Sequence, residues 1–161
     1  MKFRFEQTVH APRDAVFRFH ENPANLAVLL EGWPSSRIVS HDGHIRPGAE
    51  IIIRQTILGM IPLRMRFRHI IHEPPHRFGE EMIQGPFRKF LHIHEFETTG
   101  DGTSTLIRDQ VTIELPWFLG GEIAMRAFGQ FAIRRFFEFR RRSIERFAES
   151  GGWNGFLEVQ G

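Results

Sequence analysis

The chain has 161 residues, 41% of them hydrophobic and 25% charged, with a formal net charge of only +2; this suits one soluble-type domain with a sizeable core. It has no cysteine, which excludes disulfides, thiolate zinc sites and a cysteine nucleophile. Seventeen Phe and three Trp stand against no Tyr, so ring area is supplied with few polar handles, as in an aromatic core or a greasy pocket wall.

Lys2 to His10 alternates, with Phe3, Phe5 and Val9 on one side, and reads as a first strand. Pro12 suits the first position of a short helix, RDAVFRFH, which Asn22-Pro23 breaks. A second short helix, ANLAVLLE, ends at Gly32-Trp33-Pro34. Six strand-like runs follow: roughly Ser36–His41, Glu50–Leu58, Leu63–His72, Arg77–Ile83, Arg88–Thr98 and Thr103–Leu115. Their connections, at His41–His44, Gly59-Met60, Pro74-Pro75, Gly85-Pro86 and Thr99–Gly102, suit antiparallel hairpins.

From about Gly121 to Glu149 the period changes to that of a helix. Phe128, Ala132, Phe136, Phe139, Ser143 and Phe147 form one stripe, which Ile133, Phe137 and Ile144 widen, and Gln130, Arg134, Glu138, Arg141 and Glu145 lie opposite. Arg134, Arg135, Arg140, Arg141, Arg142 and Arg146 concentrate there; such a face either meets an anionic partner or is solvated and paired with Glu138 and Glu145. Gly151-Gly152 stops the helix, and the remainder reads as a loose tail over 150–161, beyond a single domain at 1–149. No run is long and apolar enough to span a bilayer and the N-terminus lacks an apolar signal core, so a cytoplasmic protein is expected, without stable membrane insertion.

The most informative stretch is Glu73–Asp109. His92 and His94 alternate with Phe90 and Phe96, so all four point to one side of a strand. Pairing Thr98 with Thr103 places His94 by Ile107 and His92 by Asp109, while pairing His72 with Arg77 places Ile71 by Phe78 and His69 by Glu80. One row, His69–Glu80–His92–Asp109, then crosses four strands, flanked by Phe67, Met82, Phe90, Val111 and by Ile71, Phe78, His94, Ile107. A one-residue slip would turn Phe78 and Met82 outward.

Bases and acids inside an apolar wall make sense only as a hydrogen-bonded set. Such a set can orient a polar group of a mostly apolar ligand, move a proton, or simply fix the sheet. His92-x-His94 with Glu80 also raises metal binding, but two flanking phenylalanines dilute it and no metal is expected. Nucleotide-binding glycine loops and a serine nucleophile elbow are absent. His10, His20, His41, His44, His72 and His76 lie near element ends and are expected at the surface.

The element order, together with Ala11-Pro12, Val16-Phe17, Asn25-Leu26, Pro74-Pro75, Phe78, Gly85-Pro86-Phe87, His92-x-His94-x-Phe96, Asp109-x-Val111 and Leu115-Pro116, resembles the START/Bet v 1-like (SRPBCC) superfamily, in its bacterial cyclase/dehydrase-like, ligand-binding branch. The branch carries Trp where this chain has Phe90 and Gln where it has Met82; the second change removes an amide available to a ligand. The resemblance implies an α+β helix-grip fold, with a curved seven-stranded antiparallel sheet wrapped on a long C-terminal helix.

It further implies a small hydrophobic ligand (lipid, polyketide or isoprenoid-like), no cofactor, no nucleic acid, and an NAD-dependent epimerase-like protein as partner. The oligomeric state is left open. The expected ligand contacts are Phe67, His69, Phe78, Met82, Phe90, His94, Ile107, Val111, Phe128, Phe136 and Phe139, and the candidate catalytic groups of a cyclase/dehydrase are His92, Asp109 and Glu80. An interaction module using the arginine-rich helix face is the third reading.

Overall fold

A computed structural model describes residues 1–33, 36–57 and 61–157. The expected ending at Pro34 and the Gly59-Met60 turn lie outside the described residues. Strand β1 (Lys2–Val9) leads into helix α1 (Arg13–Glu21), a short 3-10 turn (Pro23–Asn25) and α2 (Leu26–Leu30). Strands β2 (Ser36–His41), β3 (Glu50–Ile57), β4 (Ile61–Glu73), β5 (Arg77–Gln84), β6 (Lys89–Thr99) and β7 (Ser104–Glu114) follow.

All pair antiparallel in one sheet of order β1-β7-β6-β5-β4-β3-β2, the sequential meander closed by β1 against β7. The C-terminal helical segment runs through α3 (Gly121–Ala124), a π-helical stretch (Met125–Gly129) and α4 (Gln130–Glu149). A last short helix, α5, spans Asn154–Leu157. The expected fold is present, with the π-helical stretch interrupting the single long helix.

Period-2 patterning explains the faces. Met65, Phe67 and His69 of β4 are buried, whereas Arg64, Arg66 and Arg68 are exposed. The registers depart from expectation in two places. Thr99 pairs with Ser104, so His94 lies across from Asp109, His92 across from Val111 and Phe96 across from Ile107. The cause is the turn: Gly100 and Gly102 take the left-handed conformation (φ 65° and 94°), and Asp101 Oδ1 accepts from Thr103 N at 3.1 Å. This moves the partner strand by two residues, which leaves every side chain on its expected face.

At the other hairpin Glu73 pairs with Arg77, which brings His72 opposite Phe78 and Ile71 opposite Gly79. A bulge at Ile70 then restores the expected His69–Glu80 pair. Gly79 is needed beside it, since a Cβ there would sit 2.5 Å from Ile93 Cδ1 and 3.1 Å from the His92 carbonyl oxygen.

The core divides around the sheet's central polar residues. Val16, Phe17 and Phe19 of α1 pack with Phe78, Phe96, Ile107, Ile144 and Trp153. Phe3, Val111, Ile113, Met125 and Phe137 form a second group, and Ile51, Met65 and Phe67 a third. Trp153, just past the helix, is 5% exposed and packs ring to ring with Phe19 and Phe147.

Helix α4 is rotated from its expected facing. Its buried residues are Phe137, Arg140, Ser143 and Ile144, spaced three, three and one. Phe128, expected among the ligand contacts, is 76% exposed and does not face the sheet.

Candidate functional site

Glu80 on β5, His92 and His94 on β6 and Asp109 on β7 project from adjacent strands into the space beneath α4. The three sheet residues His92, His94 and Asp109 are buried. Asp109 Oδ1 accepts a hydrogen bond from His92 Nε2 at 2.9 Å and lies 2.8 Å from His94 Nδ1. On the other side of the two rings, Glu80 Oε1 lies 3.2 Å from His92 Nδ1 and 3.4 Å from His94 Nε2. Glu80 Oε2 faces His69 Nδ1 at 4.0 Å. The imidazoles of His92 and His94 are thus held between two carboxylates, with ring centroids 3.8 Å apart.

From above, α4 adds a residue that sequence reasoning assigned to the polar face. Arg140 is 6% exposed, and its Nη1 lies 2.6 Å from Asp109 Oδ2, an ion pair whose N–H is not aligned for a hydrogen bond. Its Nη2 lies 3.5 Å from His94 Nδ1. The signal was available: Arg140 follows Phe137 by three and precedes Ile144 by four, which places it on an apolar stripe. The neighbouring arginines behave as solvated groups, with Arg141 bridging Glu138 at 3.0 Å and Glu145 at 3.1 Å, and Arg142 meeting Glu138 at 3.2 Å.

Electrostatics follow from burial and these contacts. Burial opposes protonation of His92, but the Glu80 charge and the hydrogen bonds to Asp109 and Glu80 outweigh it and raise its pKa to about 9. Burial would raise Glu80, yet the His94 and His92 charges and their hydrogen bonds hold it well below the usual carboxylate range. Burial acts on Asp109 likewise and is overcome by Arg140 and by hydrogen bonds from His92 and His94, which keep it ionised. His69 is pushed down by burial, which the Glu80 charge only partly offsets.

His20, expected at the surface, is buried beneath this set. Its Nδ1–H donates to the Val16 carbonyl at 2.8 Å, and its Nε2 has no partner. Burial, aided by the nearby Arg140 and His94 charges and opposed by the Val16 hydrogen bond and Asp109, drives its pKa down to about 3. A depressed histidine gives stability that is present above the unfolded-state value of 6.5 and is lost as pH falls toward about 3. We expect an acid-side loss of up to ~1.4 kcal/mol per pH unit in that window. The comparison of urea unfolding in wild type and His20→Leu across this range checks it; an unchanged slope in His20→Leu removes His20 as the cause.

Among the described residues the expected contacts fall in three places. Phe67, Met82 and Phe90 pack together with Ile51 and Met65. Phe78 stacks on His94 at 4.3 Å between ring centroids and packs with Ile107, while Val111 packs with Phe136 and Phe137. Phe136 and Phe139 meet Trp33. An open groove of about 450 Å³ runs between β1 and α4; Phe5, Phe137 and Ile144 line it together with charged side chains such as Glu6, Arg134 and Glu138, and it reaches Asp109 and Arg140. Of its lining residues, only Asp109 was among the site residues expected from sequence. No described helix is long and apolar enough to cross a membrane.

Curved sheet, long C-terminal helix and two short helices between the first strands together define the helix-grip, Bet v 1-like fold. The chain belongs to the polyketide cyclase / dehydrase and lipid transport family, whose model matches residues 9–141. No curated protein matches it significantly.

Among solved structures it is similar to TTHA0849 from Thermus thermophilus, at 19% identity and TM-score 0.70, covering 94% of this chain and 99% of that one. It is also similar to Ms6760 from Mycobacterium smegmatis, at 15% identity and TM-score 0.69, covering 93% and 92%. Norcoclaurine synthase from Thalictrum flavum, solved with dopamine and hydroxybenzaldehyde, aligns at 16% identity and TM-score 0.65, covering 91% and 87%.

Proposed function

We propose that this chain binds a small, mostly apolar molecule carrying one polar group, of lipid, polyketide or isoprenoid type. The observation that carries the reading is the charged set His92, His94, Asp109, Glu80 and Arg140, placed in an interior otherwise built from Phe and aliphatic side chains. Charges are costly there unless they serve each other or a ligand. The groove between β1 and α4, reaching Asp109 and Arg140, offers a route along which a ligand's polar end meets this set. Membership of a family described by cyclase, dehydrase and lipid-transport activities supports the same class of molecule.

A second reading has its own observation. His92 Nε2 lies 2.9 Å from Asp109 Oδ1, and an imidazolium with a pKa of about 9, oriented by a carboxylate, can give up the proton that a dehydration needs for its leaving hydroxyl. The arginine-rich helix face gains no such support, since Arg141 and Arg142 are paired with Glu138 and Glu145. An epimerase-like partner rests on family resemblance alone.

Native mass spectrometry of the purified protein, followed by solvent extraction, tests the binding reading. A stoichiometric apolar adduct is expected, and its affinity should fall in His92→Ala. Affinity retained with loss of turnover would favour the enzyme instead. Protein that carries no adduct and takes up no apolar compound from a lipid extract overturns the binding reading.

A further inference from the structure

We infer that Glu80, His92 and His94 form a site for a divalent first-row cation of the Zn²⁺ type, with Asp109 as the carboxylate holding the two imidazoles from behind. The inference stands apart from the ligand-binding proposal, because it needs no organic molecule and is tested without one.

Distances carry the argument. Around a tetrahedral ion with Zn–N and Zn–O bonds of about 2.0–2.2 Å, neighbouring donor atoms stand roughly 3.3–3.5 Å apart. Glu80 Oε1 lies 3.2 Å from His92 Nδ1 and 3.4 Å from His94 Nε2, so two edges of such a tetrahedron already have nearly the required length. Donor atoms of Glu80, His92 and His94 all lie within 4.8 Å of one another. Glu80 Oε2 is buried without a hydrogen-bond partner, and His69 Nδ1, also unpartnered, stands beside the set at 4.0 Å from it. Leaving a buried polar atom unpaired costs about 1–3 kcal/mol, and a cation held by Glu80 would satisfy its carboxylate.

The outer side of the rings is arranged to match. Asp109 Oδ1 meets His92 Nε2 at 2.9 Å and His94 Nδ1 at 2.8 Å, the nitrogens opposite those facing Glu80. A carboxylate behind a ligating imidazole fixes its orientation, and the incoming ion displaces the proton from the inner nitrogen. Arg140 in turn neutralises Asp109 from its Oδ2 side, away from the proposed ion. Two imidazoles and one carboxylate, with a fourth position left open, suit Zn²⁺, Fe²⁺ or Co²⁺; the all-oxygen shells preferred by Mg²⁺ and Ca²⁺ are not offered. His-x-His alone was a generic signal; Glu80 joins it because β5 sets it opposite His92.

Chelator-treated protein is incubated with Zn²⁺, desalted and analysed for metal by plasma mass spectrometry, alongside His92→Phe, His94→Phe and the surface control His44→Ala. The expected content is about one Zn²⁺ per chain in wild type and His44→Ala, with at least about tenfold weaker binding in the other two. Co²⁺ should give the intense visible bands of a four-coordinate ion in the wild type, a readout that holds even if a variant fails to fold. Less than about a tenth of a Zn²⁺ per chain in wild type, equal content in all variants, or pale six-coordinate Co²⁺ bands would each overturn the inference.

Discussion

Replacing Arg140 by Met lowers the unfolding free energy by about 3–5 kcal/mol, because it strands a buried carboxylate. Asp109 and Arg140 are each only 6% exposed, and the substitution keeps most of the side-chain volume while removing the charge 2.6 Å from Asp109 Oδ2. Asp109→Leu acts in the same direction, leaving the guanidinium buried and His92 and His94 without their common acceptor. The double variant should recover part of the summed loss, since no uncompensated member of the pair remains.

Urea unfolding with an unchanged m-value measures all three. The exposed Arg141 supplies the contrast: Arg141→Ala should change stability by less than about 1 kcal/mol despite its two acidic neighbours. An Arg140→Met loss as small as that would mean that the pair is solvated.

The second large effect lies beside the polar set. Phe17→Ala should cost about 3–5 kcal/mol through lost burial and the cavity left behind. Phe17 is 1% exposed, and its ring meets Phe78 edge-on at 5.9 Å and Phe96 at 5.3 Å between centroids. It ties α1 to the sheet rows adjoining His94 and Asp109, so its loss should also loosen those rows. Phe128→Ala, at the solvent-facing start of the C-terminal helical segment, should stay within roughly 0.5 kcal/mol. Thermal unfolding of both variants compares them directly, and similar losses would contradict the observed facing of the helix.

Strand faces were legible because the side-chain period is two: the shift between His94 and its partner, from Ile107 to Asp109, turned nothing inside out. The row His69–Glu80–His92 was legible for the same reason, although reaching Glu80 from the hairpin required a bulge at Ile70 that compensated a one-residue error in the turn. Helix facing was harder. A stripe begun at Phe128 excludes Arg140, whereas one begun at Phe137 includes it, and residue type argued for the wrong choice. His20 was assigned to the surface from its place at a helix end; its burial depends on Phe19 and Phe96 packing around it, the second of these distant in sequence. Trp153 was hidden by the Gly151-Gly152 break, after which the chain folds back onto Phe19 and Phe147.

On the proposed reading, the buried histidine–carboxylate–arginine set receives a ligand's polar group. Imidazole NMR of histidine-labelled protein, with and without anilinonaphthalene sulfonate as an apolar anion, tests it most directly. Saturable shifts of the His92 and His94 signals are expected, while those of the exposed His44 and His76 stay in place. Binding that leaves His92 and His94 unmoved, or moves only the surface histidines, would contradict it.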